Sequence, residues 1–113
     1  MTSFEQWDVV VVPFPFVDMP VQKTRPALVL STKSANHENG QTLLSMITTA
    51  MRSHWPSDCD IEGLSDAGLR TPSLVRFKLF TLPNSLINRK IGHLAIADQM
   101  QNTQALKTLL NFD

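Results

Sequence analysis

Ala27-Leu28-Val29-Leu30-Ser31, then Asn36-His37-Glu38-Asn39-Gly40, then Leu43-Leu44-Ser45-Met46-Ile47-Thr48 is the stretch on which the fold turns. Two short apolar runs flank an Asn-Gly pair. Both residues of that pair tolerate positive φ, so the spacing predicts a tight hairpin turn within Asn36 to Gly40 and antiparallel strands on either side. A turn of that kind sets Thr48 opposite about Ser31 and leaves Arg25 beyond the end of the pair. Only curvature of the whole sheet would then bring Arg25 and Thr48 together. Towards the N-terminus, Val9 to Val12 is a continuous β-branched run and reads as a buried strand. Phe14 and Phe16 alternate with Pro13 and Pro15, and proline cannot donate to a ladder, so this strand ends or reaches an edge there. Val17 to Thr24 is polar and reads as a loop.

Towards the C-terminus, Arg52 to Thr71 holds Pro56, Gly63 and Gly68 and reads mostly as loop, with a short strand near Asp60 to Ile61. Ser73 to Thr81 alternates Val75, Phe77 and Leu79 against Arg76, Lys78 and Phe80. That pattern predicts a half-buried strand with a basic outer face. Pro83-Asn84 reads as a turn, and Ile87 to Leu94 as a last strand with Gly92 inside it. Ile96, Met100, Thr103, Leu106, Leu109 and Leu110 recur at three- and four-residue steps. They predict an amphipathic helix of about four turns whose apolar stripe packs on the rest. Short strands, tight turns and one C-terminal helix make the chain mainly β, a small and strongly curved β-barrel.

The chain has 113 residues, 42% hydrophobic and 18% charged, which suits one globular domain over 1–113 and excludes a disordered tail protein. The single cysteine, Cys59, allows no internal disulfide, so the chain reads as reduced and cytoplasmic. No apolar run approaches the ~18 residues that span a bilayer. Met1 to Asp8 has neither the basic nor the apolar region of a secretory signal. Ten basic and ten acidic residues balance, which excludes a histone-like nucleic-acid binder. They are segregated, however. Arg70, Arg76, Lys78, Arg89 and Lys90 follow one another with no acid between, after an acidic run of Asp58, Asp60, Glu62 and Asp66. That order permits one basic face, unless the charges scatter and cancel.

His37, His54 and His93 are isolated and Cys59 has no cysteine neighbour, so no metal site is expected. The alternating Asp58 and Asp60 read as surface charge. The four glycines are unclustered, so no phosphate-cradling loop and no nucleotide cofactor is expected either. The local candidates are few. Arg25 precedes Pro26, which pushes it to extended geometry at a strand mouth. Its guanidinium is a fork that matches phosphate, though a surface salt bridge to Asp18 is the ordinary reading. Thr48 and Thr49 end a strand, where threonine is common in any case.

Taken in order, Trp7-Asp8-Val9-Val10-Val11-Val12-Pro13-Phe14-Pro15-Phe16, Arg25-Pro26-Ala27-Leu28-Val29-Leu30-Ser31, Met46-Ile47-Thr48-Thr49, Pro72 to Leu82 and Ile91-Gly92-His93-Leu94 resemble the PemK/MazF toxin family. The similarity covers nearly the whole chain. It implies an SH3-like barrel of PemK/MazF/CcdB type and a homodimer. It also implies the toxin half of a type II toxin–antitoxin module, blocked by a protein antitoxin encoded nearby. Members cut single-stranded RNA at short sequences without a metal. The family's key arginine falls on Arg25 and its key threonine on Thr48, the implied catalytic pair. The loop from about Pro15 to Thr24 lies over the RNA groove in relatives. Phe16, Lys23 and Thr49, with the basic Arg76 and Lys78, are the candidate RNA-binding residues. Trp7 stands where relatives commonly have glycine, and Thr24 where they often have a basic residue. The chemistry implied is attack by the ribose 2′-hydroxyl, leaving 2′,3′-cyclic phosphate and 5′-hydroxyl ends. Gyrase-poisoning toxins and binding-only domains share the barrel and are the competing expectations.

Overall fold

Every run of β-branched and aromatic residues picked out above becomes a strand, and one supposed turn becomes a helix. The computed structural model describes residues 3–14, 23–49 and 53–112. The strands are β1 (Asp8–Phe14), β2 (Lys23–Val29), β3 (Gln41–Thr48), β4 (Cys59–Asp60), β5 (Leu74–Pro83) and β6 (Arg89–His93). Helix α1 (Lys33–Asn39) joins β2 to β3, a 3-10 turn (Asn84–Leu86) follows β5, and α2 (Ile96–Leu110) closes the chain. One antiparallel sheet runs in the order β4-β5-β3-β2-β1-β6 and curls into a half-barrel. The mainly-β fold with a C-terminal helix is therefore as expected. No described helix is long and apolar enough to cross a membrane.

The expected hairpin at Asn39-Gly40 is corrected. Strands β2 and β3 do pair antiparallel, but through α1. Thr32 caps the helix by accepting from the Ala35 N–H at 3.3 Å. Gly40 ends it at φ 65°, donating to the Asn36 carbonyl at 3.1 Å. The positive φ that favours a hairpin also favours a helix C-terminus, so the local signal fits both. Long-range hydrogen bonds decide between them. Asn36 is fully buried, and its amide donates to the Phe4 and Ser31 carbonyls at 2.9 and 3.2 Å. Its own carbonyl accepts from Asn84 at 2.7 Å, and Asn84 accepts from Thr42 at 2.7 Å. A tight turn would orphan these buried groups, each at a cost of about 1–3 kcal/mol.

The register changes accordingly. Leu28 faces Ser45 and Ala27 faces Met46. The pairing ends at Ala27 and Met46, and the same register run on would bring Arg25 to Thr48, where a tight turn would have put Ser31.

Alternation gives the sheet two apolar faces. Val9, Leu28, Ile47, Val75 and Phe77 share one with Ile61, Ala67 and Leu94. Val10, Val12, Ala27, Val29, Leu44 and Leu82 share the other with Ile87, covered by Phe4. On this second face the apolar row continues into Phe14, Arg25, Met46, Thr48 and Lys78, which line a cavity. Pro13 pairs with Thr24 of β2, beyond the last β6 pairing at Val11, so its missing N–H falls where β1 has one neighbour. Strand β2 begins at Lys23, four residues before the expected Ala27.

Helix α2 forms where expected but is rotated from the expected face. Ile96 and Met100 are 70% and 69% exposed, and Leu109 and Leu110 are exposed as well. Of the expected stripe, Leu106 packs against the core. The inward positions are Asp98 and Asn102. Asp98 accepts from the Glu62 and Gly63 N–H groups at 3.1 and 2.9 Å, and those two bonds fix which side of the helix faces the sheet.

Candidate active site

Pro26 holds Arg25 extended, and the α1 connection sets the register, so the two expected residues reach one cavity. Arg25 and Thr48 both line a cavity of ≈ 290 Å³ whose apolar wall includes Val12, Met46 and Phe80. Arg25 is exposed and Thr48 half-buried at the end of β3. The Arg25 guanidinium carbon lies 5.9 Å from the centroid of the Phe14 ring on the neighbouring strand. That contact orients the fork without using any of its N–H donors. Asp18, the partner under the ordinary surface reading, lies outside the described residues, as do Phe16 and positions 15–22 of the expected groove loop. Among the described residues no carboxylate lies within ion-pair distance of Arg25.

The other expected RNA contacts divide. Lys23 is exposed at the start of β2, opposite Phe14. Thr49 is exposed just past β3, in a shallow depression shared with Thr48 and Leu74. Lys78 is exposed and lines the cavity itself. The basic outer position of Arg76 is corrected: its side chain is 6% exposed. Its guanidinium donates to both oxygens of Asp58 at 3.1 and 2.8 Å, and to the Ser53 hydroxyl and carbonyl at 3.0 and 3.2 Å.

Asp58 is the counterpart correction, because the expected surface charge is a 2% exposed carboxylate. The Arg76 hydrogen bond holds its carboxyl below the usual range against the opposing effect of burial. Asp60 remains exposed as expected.

None of the three histidines lines the cavity. His37 is exposed on α1, and His54 is exposed with Nδ1 3.9 Å from Asp58. His93 Nδ1 lies 2.8 Å from Asp8, which also takes Lys90 at 3.1 Å and the Glu5 N–H at 2.9 Å. Asp8 is therefore a buried clamp between the start of β1 and β6. Trp7 beside it has φ 75°, the conformation that a glycine adopts without strain. Burial pushes the Cys59 thiol up, away from nucleophilic use. Among the described residues no three His, Cys, Asp or Glu side chains gather.

Sequence reasoning missed Trp55. Its ring has the Arg76 guanidinium carbon at 5.2 Å and the Lys78 ammonium at 5.6 Å. The one signal was an aromatic beside proline in a loop between an apolar strand and an acidic run.

Comparison with known proteins follows the same lines. No curated protein matches the sequence. Among solved structures, an endoribonuclease in complex with its cognate antitoxin from a mycobacterial species superposes with TM-score 0.77 at 18% identity, covering 100% of this chain and 98% of that one. The Mycobacterium tuberculosis toxin MazF-mt6 gives 0.74 at 20%, covering 94% and 98%. A MazE–MazF structure from Deinococcus radiodurans gives 0.77 at 15%, covering 100% of both. At such identities the likeness carries the fold alone. The sequence itself carries the family: residues 5–110 match the model for the PemK-like, MazF-like toxin of type II toxin–antitoxin systems, and the chain belongs to that family.

Proposed function

We propose that this protein is a metal-independent endoribonuclease that cuts single-stranded RNA at short sequences. It acts as a cytoplasmic homodimer and is held inactive by a protein antitoxin encoded nearby. The observation that carries this reading is that Arg25 and Thr48 line one cavity, the arginine exposed and extended by Pro26. Similarity to an endoribonuclease solved with its antitoxin, and to MazE–MazF, supports the activity and the partner.

The substrate supplies its own nucleophile. The ribose 2′-hydroxyl attacks the adjacent phosphorus in line, and the 5′-oxygen of the next nucleotide leaves with a proton. The ends are a 2′,3′-cyclic phosphate and a 5′-hydroxyl. Negative charge builds on the non-bridging oxygens, and the Arg25 fork meets it with charge-assisted hydrogen bonds. The Thr48 hydroxyl donates to the same group. Arginine keeps its proton up to a pKa above ~12, so it stabilises charge while water carries the proton from the 2′-hydroxyl. Lys23 and Lys78 contact flanking phosphates, Thr49 adds a polar contact beyond Thr48, and Phe16 stacks on a base. Arg76 serves the RNA through the elements it holds in place.

The test is a long single-stranded RNA incubated with purified protein in excess EDTA, with product ends mapped. Wild type gives discrete cuts with cyclic-phosphate ends. Arg25→Ala and Thr48→Val each lose about 100- to 1000-fold in rate. Intact RNA with folded wild-type protein, or cuts that persist in Arg25→Ala, would overturn the reading.

A further inference from the structure

We infer that Trp55 is a stacking platform for an unpaired RNA base on the β5 side of the cavity, a subsite that rests on the ribonuclease reading above. Trp55 is half-buried in the loop after β3, yet it belongs to neither apolar core cluster. Its ring packs on two cations instead. Arg76 and Lys78 are two residues apart on β5, and one indole reaches both. The indole lies within cation–π range of both, at 5.2 and 5.6 Å. Both cations lead to the cavity of Arg25 and Thr48: Met46, paired with Arg76, lines it, and Lys78 lines it as well.

The platform is held before any ligand arrives. The Trp55 N–H donates to Asp58 at 2.9 Å, and the same carboxylate takes the Arg76 fork. Arg76 also ties down Ser53, two residues upstream of the indole. A ring fixed this way loses little freedom on binding. The chemistry matches a single-stranded nucleic acid, whose bases stack on aromatic faces while its phosphates seek cations. Lys78 both reaches the indole and lines the cavity, placed for the phosphate that links a stacked base to the cleaved one. Across the cavity the Phe14 ring and Arg25 form a second aromatic–cation pair. The reacting phosphate therefore lies between two such pairs.

The test uses an RNA oligomer spanning a mapped cut, with 2′-deoxyribose at the cleaved position so that it binds without reacting. Titrating it should quench tryptophan fluorescence in wild type, and the quench should disappear in Trp55→Phe, which keeps only Trp7. With the cleavable oligomer, Trp55→Leu should raise KM about tenfold with kcat nearly unchanged, and Trp55→Phe should recover most of that loss. A structural role would lower the melting temperature of Trp55→Leu and leave KM and the quench alone, which overturns the inference. Cleavage by wild type with the quench unchanged in Trp55→Phe overturns it while the ribonuclease reading stands. Intact RNA under wild type, with no cut to map, removes the ribonuclease reading and the subsite with it.

Discussion

The sheet face that carries the site has two ends, and they differ in what covers them. At one end Val10, Val29, Leu44, Leu82 and Ile87 are at most 6% exposed. Phe4 lies over them, and the buried Asn36–Asn84–Thr42 network ties α1 to the 3-10 turn. At the other end the same strands continue, but the described residues leave a cavity with Arg25, Thr48 and Lys78 around it. Strand alternation built both ends alike. Two arginines on this open half then part company. Arg76 is neutralised by Asp58 beneath Trp55, whereas Arg25 rests on Phe14 and has no carboxylate among the described residues within ion-pair distance. Among the described residues the open half is edged by one cation spent on architecture and one, Arg25, that no carboxylate pairs.

That contrast can be broken most severely at Arg76. Arg76→Leu leaves Asp58 buried without a counter-charge and should cost about 3–5 kcal/mol in urea denaturation. Adding Asp58→Leu should recover much of the loss, because the desolvated carboxylate is then gone as well. At the covered end, Asn36→Ala orphans the Phe4 carbonyl and should cost about 1–3 kcal/mol by the same measurement. A loss below about 0.5 kcal/mol would mean that the Asn36 side-chain amide does not hold α1 in place.

Acid sharpens the comparison further. The folded-state pKa of Asp58 is depressed, chiefly by the Arg76 hydrogen bond. Its stabilising contribution is thus fully present above the unfolded carboxylate value of ~3.9 and lost as pH falls through the folded value. The stability gap between wild type and Asp58→Asn should be steady from about pH 5 to 7 and close below about pH 4. Arg25→Ala should have the smallest effect on stability, within about 0.5 kcal/mol by thermal melting, even as cleavage is lost.

Much of this was legible along the chain. The β-branched runs at Val9 to Val12 and Ala27 to Val29 became strands because alternation and propensity are local. Arg25 was legible through Pro26, and Thr48 through the family motif around it. Trp55 was not legible, because its meaning depends on Arg76 and Lys78, which reach it only once β5 folds against β3. The segregated charges had two readings, and the structure takes something from each. Arg76 and Lys90 are cancelled by Asp58 and Asp8, while Lys78 stays exposed at the cavity.

By itself the sequence determined where strands and helices could form, that Gly40 would take a left-handed conformation, and which family motifs the chain carries. Only the tertiary structure decided what that glycine ended, which side of α2 faced the sheet and which arginine a buried carboxylate neutralised. In each case the reason is a buried polar group satisfied from far away. Asn84 reaches Asn36 across 48 positions, Gly63 reaches Asp98 across 35, and Arg76 reaches Asp58 across 18. Periodicity reports on neighbours in the chain. A buried hydrogen bond chooses its partner from what the fold brings within 3 Å, and leaving it unmade costs more than the local preferences that separate one turn from another.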